Sequence, residues 1–396
     1  MILGVPSEQA TDEARVALVP SVAEDLIEAG HEVLVASGAG TPADFADAAY
    51  EEAGCTVLEE RGAVFERAEI ILQVRGLGAS DAEIDPYADG QVAVGLYGPY
   101  ETSEETLETL ADRQVSAFAL ELIPRIGRAQ SMDALSSMAS LGGYKATLLA
   151  AAELPKMFPL EMTAAGTIQP ADVFVIGAGV AGLKAIATAE RLGASVKGYD
   201  IRLEVKEEVE SLGADFVELD LETEGAGDEE GYAREMDEEF YREQSKALTR
   251  VVAESDVVIT TAAIPGKSAP ELVTEEMISS MDDGSVIVDL SAESGGNCEP
   301  TVAGETVEYE GVTIMGPTDL PSRISHTASN QFSNNVRNFL ENILDDGDLA
   351  IDLEDEIVDS TLLTYEGTVR NPHLDDGADA ATEDETETGD AEEGSP

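Results

Sequence analysis

Along the first 120 residues, short apolar runs alternate with stretches in which an apolar position returns every three or four residues. The runs "MILGVP" (1–6), "HEVLVA" (31–36), "EIILQV" (69–74), "QVAVGLY" (91–97) and "VSAFAL" (115–120) predict strands: they are short, β-rich and bounded by turn formers. Between them, "VAEDLIEAG" (22–30), closed by a glycine, and "ETSEETLETLADR" (101–113) predict helices. "DALSSMASLGGYKATLLAAAELP" (133–155) predicts a long helix, with Asp133 at its N-cap and Pro155 ending it. A second series opens with "ADVFVIGAGVAGLKAIATAERLGASVKGYD" (171–200) and continues through strands at 214–220, 256–262, 285–291 and 312–316. A final helix, "NQFSNNVRNFLENIL" (330–344), is placed to return to the first domain and close it.

Strand and helix alternating in this order imply an α/β fold of doubly wound parallel sheets. Two domains are expected, with a cleft between them. The N-terminal domain is discontinuous, built from residues 1–133 and 325–373; the second spans 134–324. Residues 374–396 hold ten acids and no base, the composition of a disordered acidic tail.

Charge narrows the function classes. With 82 acidic against 22 basic residues the formal net charge is −60, so the basic stripe that a nucleic-acid binder requires is missing. The acids are spread along the whole chain, which suits a protein dissolved in concentrated salt, where self-repulsion is screened. The composition reads as halophilic, of the haloarchaeal kind, and describes an environment rather than an activity. Cys55 and Cys298 are too few for a disulfide framework or a thiolate metal centre, and both are expected to pack as small apolar residues; no metal site is expected. The N-terminus lacks the pattern of a signal peptide and no 18 apolar residues run together, so a cytoplasmic chain without direct membrane insertion is expected.

"VFVIGAGVAG" places Gly177, Gly179 and Gly182 in G-x-G-x-x-G spacing, with Ala178 and Val180 between them, directly after a strand and opening a helix. The first glycine permits a tight turn, the second admits a pyrophosphate to the backbone, and the third lets helix and strand approach. "SVKGYD" then ends a second strand at Asp200, followed by Ile201 and Arg202. An acid there accepts hydrogen bonds from the adenosine ribose and repels a 2′-phosphate, which favours NAD(H) over NADP(H). Both domains are therefore expected to be Rossmann-like, the second binding the dinucleotide.

Most dehydrogenases of alcohols or amines need a general acid or base, usually histidine, lysine or tyrosine. This chain has three histidines and seven lysines. His31 and His373 are expected to be solvated, and His326, in "PSRISHTASN", is the one placed to reach a cleft. By contrast, "PRIGRAQSMDALSS" (124–137) concentrates two arginines, a glutamine, an aspartate and three serines without any histidine.

That segment, together with "VIGAGVAGLKAIATAERLGA", "TTAAIPGKSAPELVTEEMISSM" and "VIVDLSAESGGNCE", resembles the NAD(H)-binding domain I of proton-translocating NAD(P) transhydrogenase, over roughly residues 1–345. The resemblance implies direct hydride transfer between NADH held here and NADP+ held by another subunit, a task of orienting two flat rings that needs no acid–base group. It implies that Arg125, Gln130 and Asp133 form a catalytic loop, Arg125 and Asp133 fixing one another and Gln130 reaching towards the second nucleotide. Ser136 would bond the carboxamide. Ala263, Ile264, Pro265 and Gly266, after one strand, and Glu293, Gly295, Gly296 and Asn297, after the next, would line the coenzyme. Within 222–236, Tyr232 and Met236 would belong to a lid.

The resemblance further implies a homodimer on the cytoplasmic face of the membrane, with a membrane-spanning subunit and an NADP(H)-binding beta subunit as partners. The wider superfamily includes alanine dehydrogenase, which shares the "ARVALVP" type of motif at Arg15. There the lysine position corresponds to Arg75, and Gly95, Leu96 and Tyr97 stand where that enzyme has a histidine. Alanine dehydrogenase and a non-catalytic NAD(H) sensor remain the alternatives.

Overall fold

Most β-rich runs of the sequence become strands with buried residues on both faces, as parallel strands covered by helices must have. The structure, a computed structural model, describes residues 1–76, 85–219, 238–345, 347–371 and 373. These divide into two compact units: Met1–Ala134 with Pro265–Lys267 and the described residues from Phe332 onward, and Leu135–Ile264 with Ser268–Gln331.

The strands of the first unit are β1 (Ile2–Val5), β2 (Glu32–Ala36), β3 (Thr56–Leu58), β4 (Ile70–Arg75), β5 (Val92–Leu96) and β6 (Ser116–Ala119). The second unit holds the exposed hairpin β7 (Glu161–Thr163) and β8 (Gly166–Ile168). Its main sheet comprises β9 (Asp172–Ile176), β10 (Ser195–Tyr199), β11 (Asp215–Phe216), β12 (Val257–Thr260), β13 (Val286–Asp289), β14 (Thr306–Tyr309) and β15 (Val312–Met315). A small ladder, β16 (Leu344–Asp345) with β17 (Asp348–Leu349), precedes β18 (Leu362–Tyr365) and β19 (Thr368–Val369). Helices are α1 (Pro20–Glu28), α2 (Asp47–Glu52), α3 (Arg61–Arg67), α4 (Glu104–Asp112), α5 (Ala134–Glu153), α6 (Val180–Leu192), α7 (Lys206–Ser211), α8 (Glu238–Ala253), α9 (Glu275–Ile278), α10 (Ser325–Ile343) and α11 (Glu356–Thr361).

The first sheet runs β19-β18-β6-β5-β4-β1-β2-β3 and the second β11-β10-β9-β12-β13-β15-β14. Stripped of their edges, both have the strand order 3-2-1-4-5-6 of a doubly wound dinucleotide-binding sheet, so each has a switch point between its first and fourth strands. In the second unit that point lies between β9 and β12, which pair in parallel from Val173 with Val257 to Ile176 with Thr260. Alternate residues of β9 serve opposite faces: Val173 and Val175 join the α5, α6 and α7 side, while Phe174 and Ile176 join Leu248 and Val252 of α8 and Met277 and Ile278 of α9. Cys298 packs in this second layer, and Cys55 is buried in the first unit; neither is in a disulfide.

Both edges depart from the all-parallel expectation. β14 pairs antiparallel with β15, and β18 pairs antiparallel with both β6 and β19. The two edge hairpins turn on the same dipeptide, Glu310-Gly311 and Glu366-Gly367, with all four residues at positive φ. Two consecutive residues in that region make the tight turn that matches strand twist. β11 is only two residues long where 214–220 was expected to be a strand. Asp220, the lid segment 222–236 and the tail 374–396 lie outside the described residues.

The C-terminal part of the first unit is fastened by packing. The ring of Phe339 on α10 lies 5.3 Å from that of Phe118 on β6, and Ile357, Leu362 and Leu363 are fully buried. Truncating such a side chain costs about 2–5 kcal/mol. Leu363→Ala is therefore expected to lower the first unit's denaturation midpoint in urea, and an unchanged midpoint would show that β18 contributes nothing to its core.

Candidate functional site

At the end of β9 the chain turns at Gly177, φ 96°, where a Cβ would lie 2.6 Å from Oγ1 of Thr261. The amide of Gly177 donates to the Tyr199 carbonyl at 2.8 Å, which carries the turn onto the end of β10. A Cβ at Gly182 would lie 1.8 Å from the carbonyl oxygen of Gly177, so only a hydrogen fits between α6 and the strand end. Gly179 is the N-cap of α6 and brings no side-chain cap; a Cβ there would meet nothing within 4 Å. The first-turn amides of α6 thus face open space with the positive end of the helix dipole behind them, an arrangement suited to a phosphate. Ala178 is buried; Gly179 and Val180 are exposed.

A second close approach, not foreseen from the sequence, holds α6 from the other side. A Cβ at Gly143 of α5 would lie 2.0 Å from the Ala181 carbonyl oxygen. Thr147 Oγ1 donates to Gly143 O at 3.0 Å and lies 3.3 Å from Ala185 O. The small residues in "LGGYKA" were the available signal: a glycine inside a helix marks a close backbone approach.

Asp200 follows β10 and is 5% exposed. Its Oδ2 accepts from the Ala178 amide at 2.7 Å and from Arg202 Nη2 at 2.8 Å, and its Oδ1 accepts from Arg202 N at 2.8 Å and Nε at 2.9 Å. A carboxylate offers about four acceptor positions. In this structure those positions go to Ala178 and Arg202. Here Asp200 holds the glycine turn and grips Arg202. Ile201 is buried beneath them.

Beyond β12, Thr261 Oγ1 donates to Gly177 O at 3.1 Å, stitching the switch point together. Asn297, expected to line a ligand, is instead fully buried: its Oδ1 accepts from Ala262 N at 3.0 Å, and its Nδ2 donates to the carbonyls of Ala262 and Pro270, each at 2.8 Å. The Asn297 amide and that of Cys298 donate to the buried Asp289 carboxylate. Asn297 is a loop clamp, and Ala263, exposed, and Ile264 follow the residue it holds. Glu293 is exposed on a single turn of helix, Ala292–Ser294. Gly295 at φ 99° has open space at its Cβ position. Pro265 and Gly266 cluster with the first unit, where a Cβ on Gly266 would lie 2.5 Å from the ring of Tyr100.

The polar segment 124–137 crosses from the first unit into α5. Ala129 and Met132 are buried, leaving Arg125 and Gln130 exposed and Asp133 half-buried directly before the first residue of α5. Ser136 is half-buried in the first turn of α5. Side chains from α10 brace the loop: Asn335 and Asn338 both donate to the Ser131 carbonyl, at 2.9 and 3.0 Å. Arg128 forms a two-pronged pair with Asp355, 2.9 and 2.5 Å, and holds that carboxyl below the usual range while Asp355 caps α11. Just upstream, Glu121 Oε1 accepts from Gly98 N at 2.8 Å, its Oε2 is buried with no hydrogen-bond partner among the described residues, and burial pushes its pKa up to about 7.

His326 is exposed at the start of α10. His31 and His373 are both half-buried: Nδ1 of His31 has no hydrogen-bond partner among the described residues, and the His373 ring packs 4.4 Å from Tyr100. Arg15 is 5% exposed and pairs with Glu13, its Nε 2.7 Å from Oε1; Arg75 Nε lies 3.8 Å from the same carboxylate. Tyr97 is 1% exposed and its hydroxyl has no hydrogen-bond partner among the described residues, so burial keeps it protonated, far above its ordinary pKa. Tyr232 and Met236 lie outside the described residues.

Family models for the N-terminal and C-terminal domains of alanine dehydrogenase/PNT match residues 4–142 and 146–372. An NAD(P) transhydrogenase subunit alpha chain of Rhodospirillum rubrum is 43% identical over 383 residues, covering 94% of this chain and 99% of that one. The crystal structure of a transhydrogenase from Sinorhizobium meliloti superposes with a TM-score of 0.83 at 42% identity, over 93% of this chain and 100% of that one. An alanine dehydrogenase from Halomonas elongata is 30% identical, covering 88% of each chain.

Two outcomes follow from this geometry. Gly182→Ala forces a methyl into the Gly177 carbonyl, an overpacking that costs at least about 1–3 kcal/mol, and should lower the second unit's melting temperature. The folded pKa of Glu121 stands above the ordinary value of 4.5, so its contribution is intact below that value and is lost as pH rises through about 7. Glu121→Gln should therefore leave stability little changed at about pH 5 and raise it at about pH 8; equal effects at the two pH values would refute the assignment.

Proposed function

The chain belongs to the alanine dehydrogenase/PNT family, and we propose that it is the NAD(H)-binding subunit of an NAD(P) transhydrogenase. The observation that carries this reading is the uncapped N-terminus of α6 beside an open Gly179, combined with a braced polar segment at 124–137 that holds no histidine, lysine or tyrosine. When bound, NADH supplies a hydride to the nicotinamide of NADP+ held by the partner beta subunit, with no proton exchanged at either ring.

Everything this chain contributes is then positional. The α6 amides and the Gly177–Gly179 turn hold the pyrophosphate, and Asp200, Ile201 and Arg202 shape the adenosine end. Loop 263–266, kept in place by Asn297, borders the nicotinamide side together with Glu293. Ser136 orients the carboxamide; Arg125 and Asp133 fix the loop from which Gln130 reaches the second nucleotide; Tyr232 and Met236 close over the coenzyme. Two rings held at a reactive distance need nothing further from this chain.

Among the described residues no helix is long and apolar enough to cross a membrane. Proton translocation falls to a membrane-spanning partner subunit, with this chain docked on its cytoplasmic side. The β7–β8 hairpin supports the homodimer: Met162 is 77% exposed and Leu160 52%, more apolar surface than a lone hairpin leaves to water. The charge of −60 supports work in concentrated salt.

The test mixes the purified chain with a transhydrogenase NADP(H)-binding domain in high salt and follows hydride transfer to a nicotinamide analogue. Transfer is expected, and Gln130→Asn should slow it by roughly tenfold or more without changing NADH affinity, since a small misplacement of the rings is costly. Oxidation of NADH by pyruvate and ammonia would instead establish the alanine dehydrogenase reading, and NADH binding without any transfer would establish a sensor. In the same preparation, Met162→Asp should convert the dimer to monomer in sedimentation; an unshifted dimer would place the interface elsewhere.

A further inference from the structure

Ala262 opens the loop after β12, and side chains from the segment after β13 hold both of its backbone polar groups. Its amide donates to Asn297 Oδ1 at 3.0 Å, and its carbonyl accepts from Asn297 Nδ2 at 2.8 Å and from Ser291 Oγ at 2.9 Å. The same Nδ2 reaches Pro270 O at 2.8 Å, further along the loop. Those side chains answer in turn to one residue. Asp289, the last of β13, is fully buried, and its Oδ1 accepts from Ser291 N at 3.0 Å. Its Oδ2 accepts from Asn297 N at 2.7 Å, Cys298 N at 3.0 Å and Thr301 Oγ1 at 2.8 Å. Gly296, at φ 87°, admits this crowding: a Cβ there would stand 3.0 Å from Oδ2. These donors fill the acceptor positions of a carboxylate, and all of them belong to the segment after β13.

We propose that Asp289 is a positioning residue for hydride transfer: it touches no coenzyme, yet through Ser291 and Asn297 it fixes Ala262, and with it the stretch at Ala263 and Ile264 that borders the nicotinamide ring. The inference rests on the reading of this chain as the NAD(H)-binding subunit. A carboxylate only accepts, whereas an amide of the same shape sets an NH2 donor against one of the donors already there. Asp289→Asn therefore shifts the segment after β13, and Ser291 and Asn297 carry the shift to Ala262. A misplacement of about 1 Å costs on the order of a hundredfold in rate. The pyrophosphate end is set elsewhere, by the close seating of Gly182 on Gly177 and of Gly143 on Ala181. Binding of NADH should persist while transfer slows, a separation that mere weakening of the fold would not produce.

The test uses the full chain in high salt. It measures single-turnover hydride transfer from saturating NADH to NADP+ held by a transhydrogenase NADP(H)-binding domain, and NADH affinity by fluorescence titration. Wild type is compared with Asp289→Asn, Asn297→Ala, the double variant, and Leu248→Ala, which empties a fully buried site on α8 outside the network. Each of the first two should slow transfer by roughly tenfold or more while changing NADH affinity by less than about threefold. The double variant should be no slower than the slower single, because the two residues act in series. Leu248→Ala should lower the melting temperature and leave the rate unchanged. Folding of every variant is checked by thermal melt. If Asp289→Asn does not fold, Ser291→Ala, which removes one of the two bonds to the Ala262 carbonyl, should show the same split in smaller measure, and an unchanged rate there overturns the proposal. So does a folded Asp289→Asn with the wild-type rate, a loss of affinity equal to the loss of rate, losses that multiply in the double variant, or Leu248→Ala slowed as much as the others. Wild type that binds NADH and transfers nothing refutes the transhydrogenase reading and the proposal with it, a result distinct from wild type that transfers and variants that match it.

Discussion

The nucleotide-site geometry of the second unit depends on one steric fact: at Gly182 there is room for a hydrogen and for nothing larger. With 1.8 Å between the position of a Cβ and the Gly177 carbonyl oxygen, α6 seats directly on the end of β9. That seating brings the uncapped α6 amides to the switch point of the sheet. Gly143 applies the same constraint from α5, 2.0 Å from the Ala181 carbonyl, so the helix is held from two sides by glycines that tolerate no side chain. Thr261, Asn297 and Asp289 then fix the neighbouring strand ends through hydrogen bonds.

Much of this was legible in the sequence because it depends on periodicity and on glycine. The parallel strands were visible as apolar runs, and the doubly wound order followed from their alternation with helices. The turn, approach and packing roles of Gly177, Gly179 and Gly182 follow from spacing alone. The antiparallel edges were missed, since Glu-Gly is a weaker hairpin signal than Asn-Gly or Asp-Gly; the repeated "YEG" at 309–311 and 365–367 was the available clue.

Residue roles within the site were less legible, for a physical reason. Sequence gives a residue's type and register but not which partner consumes its hydrogen-bonding capacity. Asn297 stands in a loop that faces the right end of the sheet, yet both ends of its amide are spent on Ala262 and Pro270. Asp200 has the right type at the right place, and its acceptor positions go to Ala178 and Arg202. The brace from Asn335 and Asn338 to Ser131 joins distant stretches of chain, which no local pattern records.

Segment 124–137 holds no histidine, lysine or tyrosine, and burial keeps Tyr97 protonated; on the proposed reading, orientation is what the chain contributes to chemistry. That account is tested most directly by supplying NADH deuterated at the transferable position, together with the NADP(H)-binding partner and NADP+, in ordinary water. The label should appear quantitatively in NADPH. Hydrogen from solvent in the product, or label delivered to a keto acid in place of the second coenzyme, would contradict it.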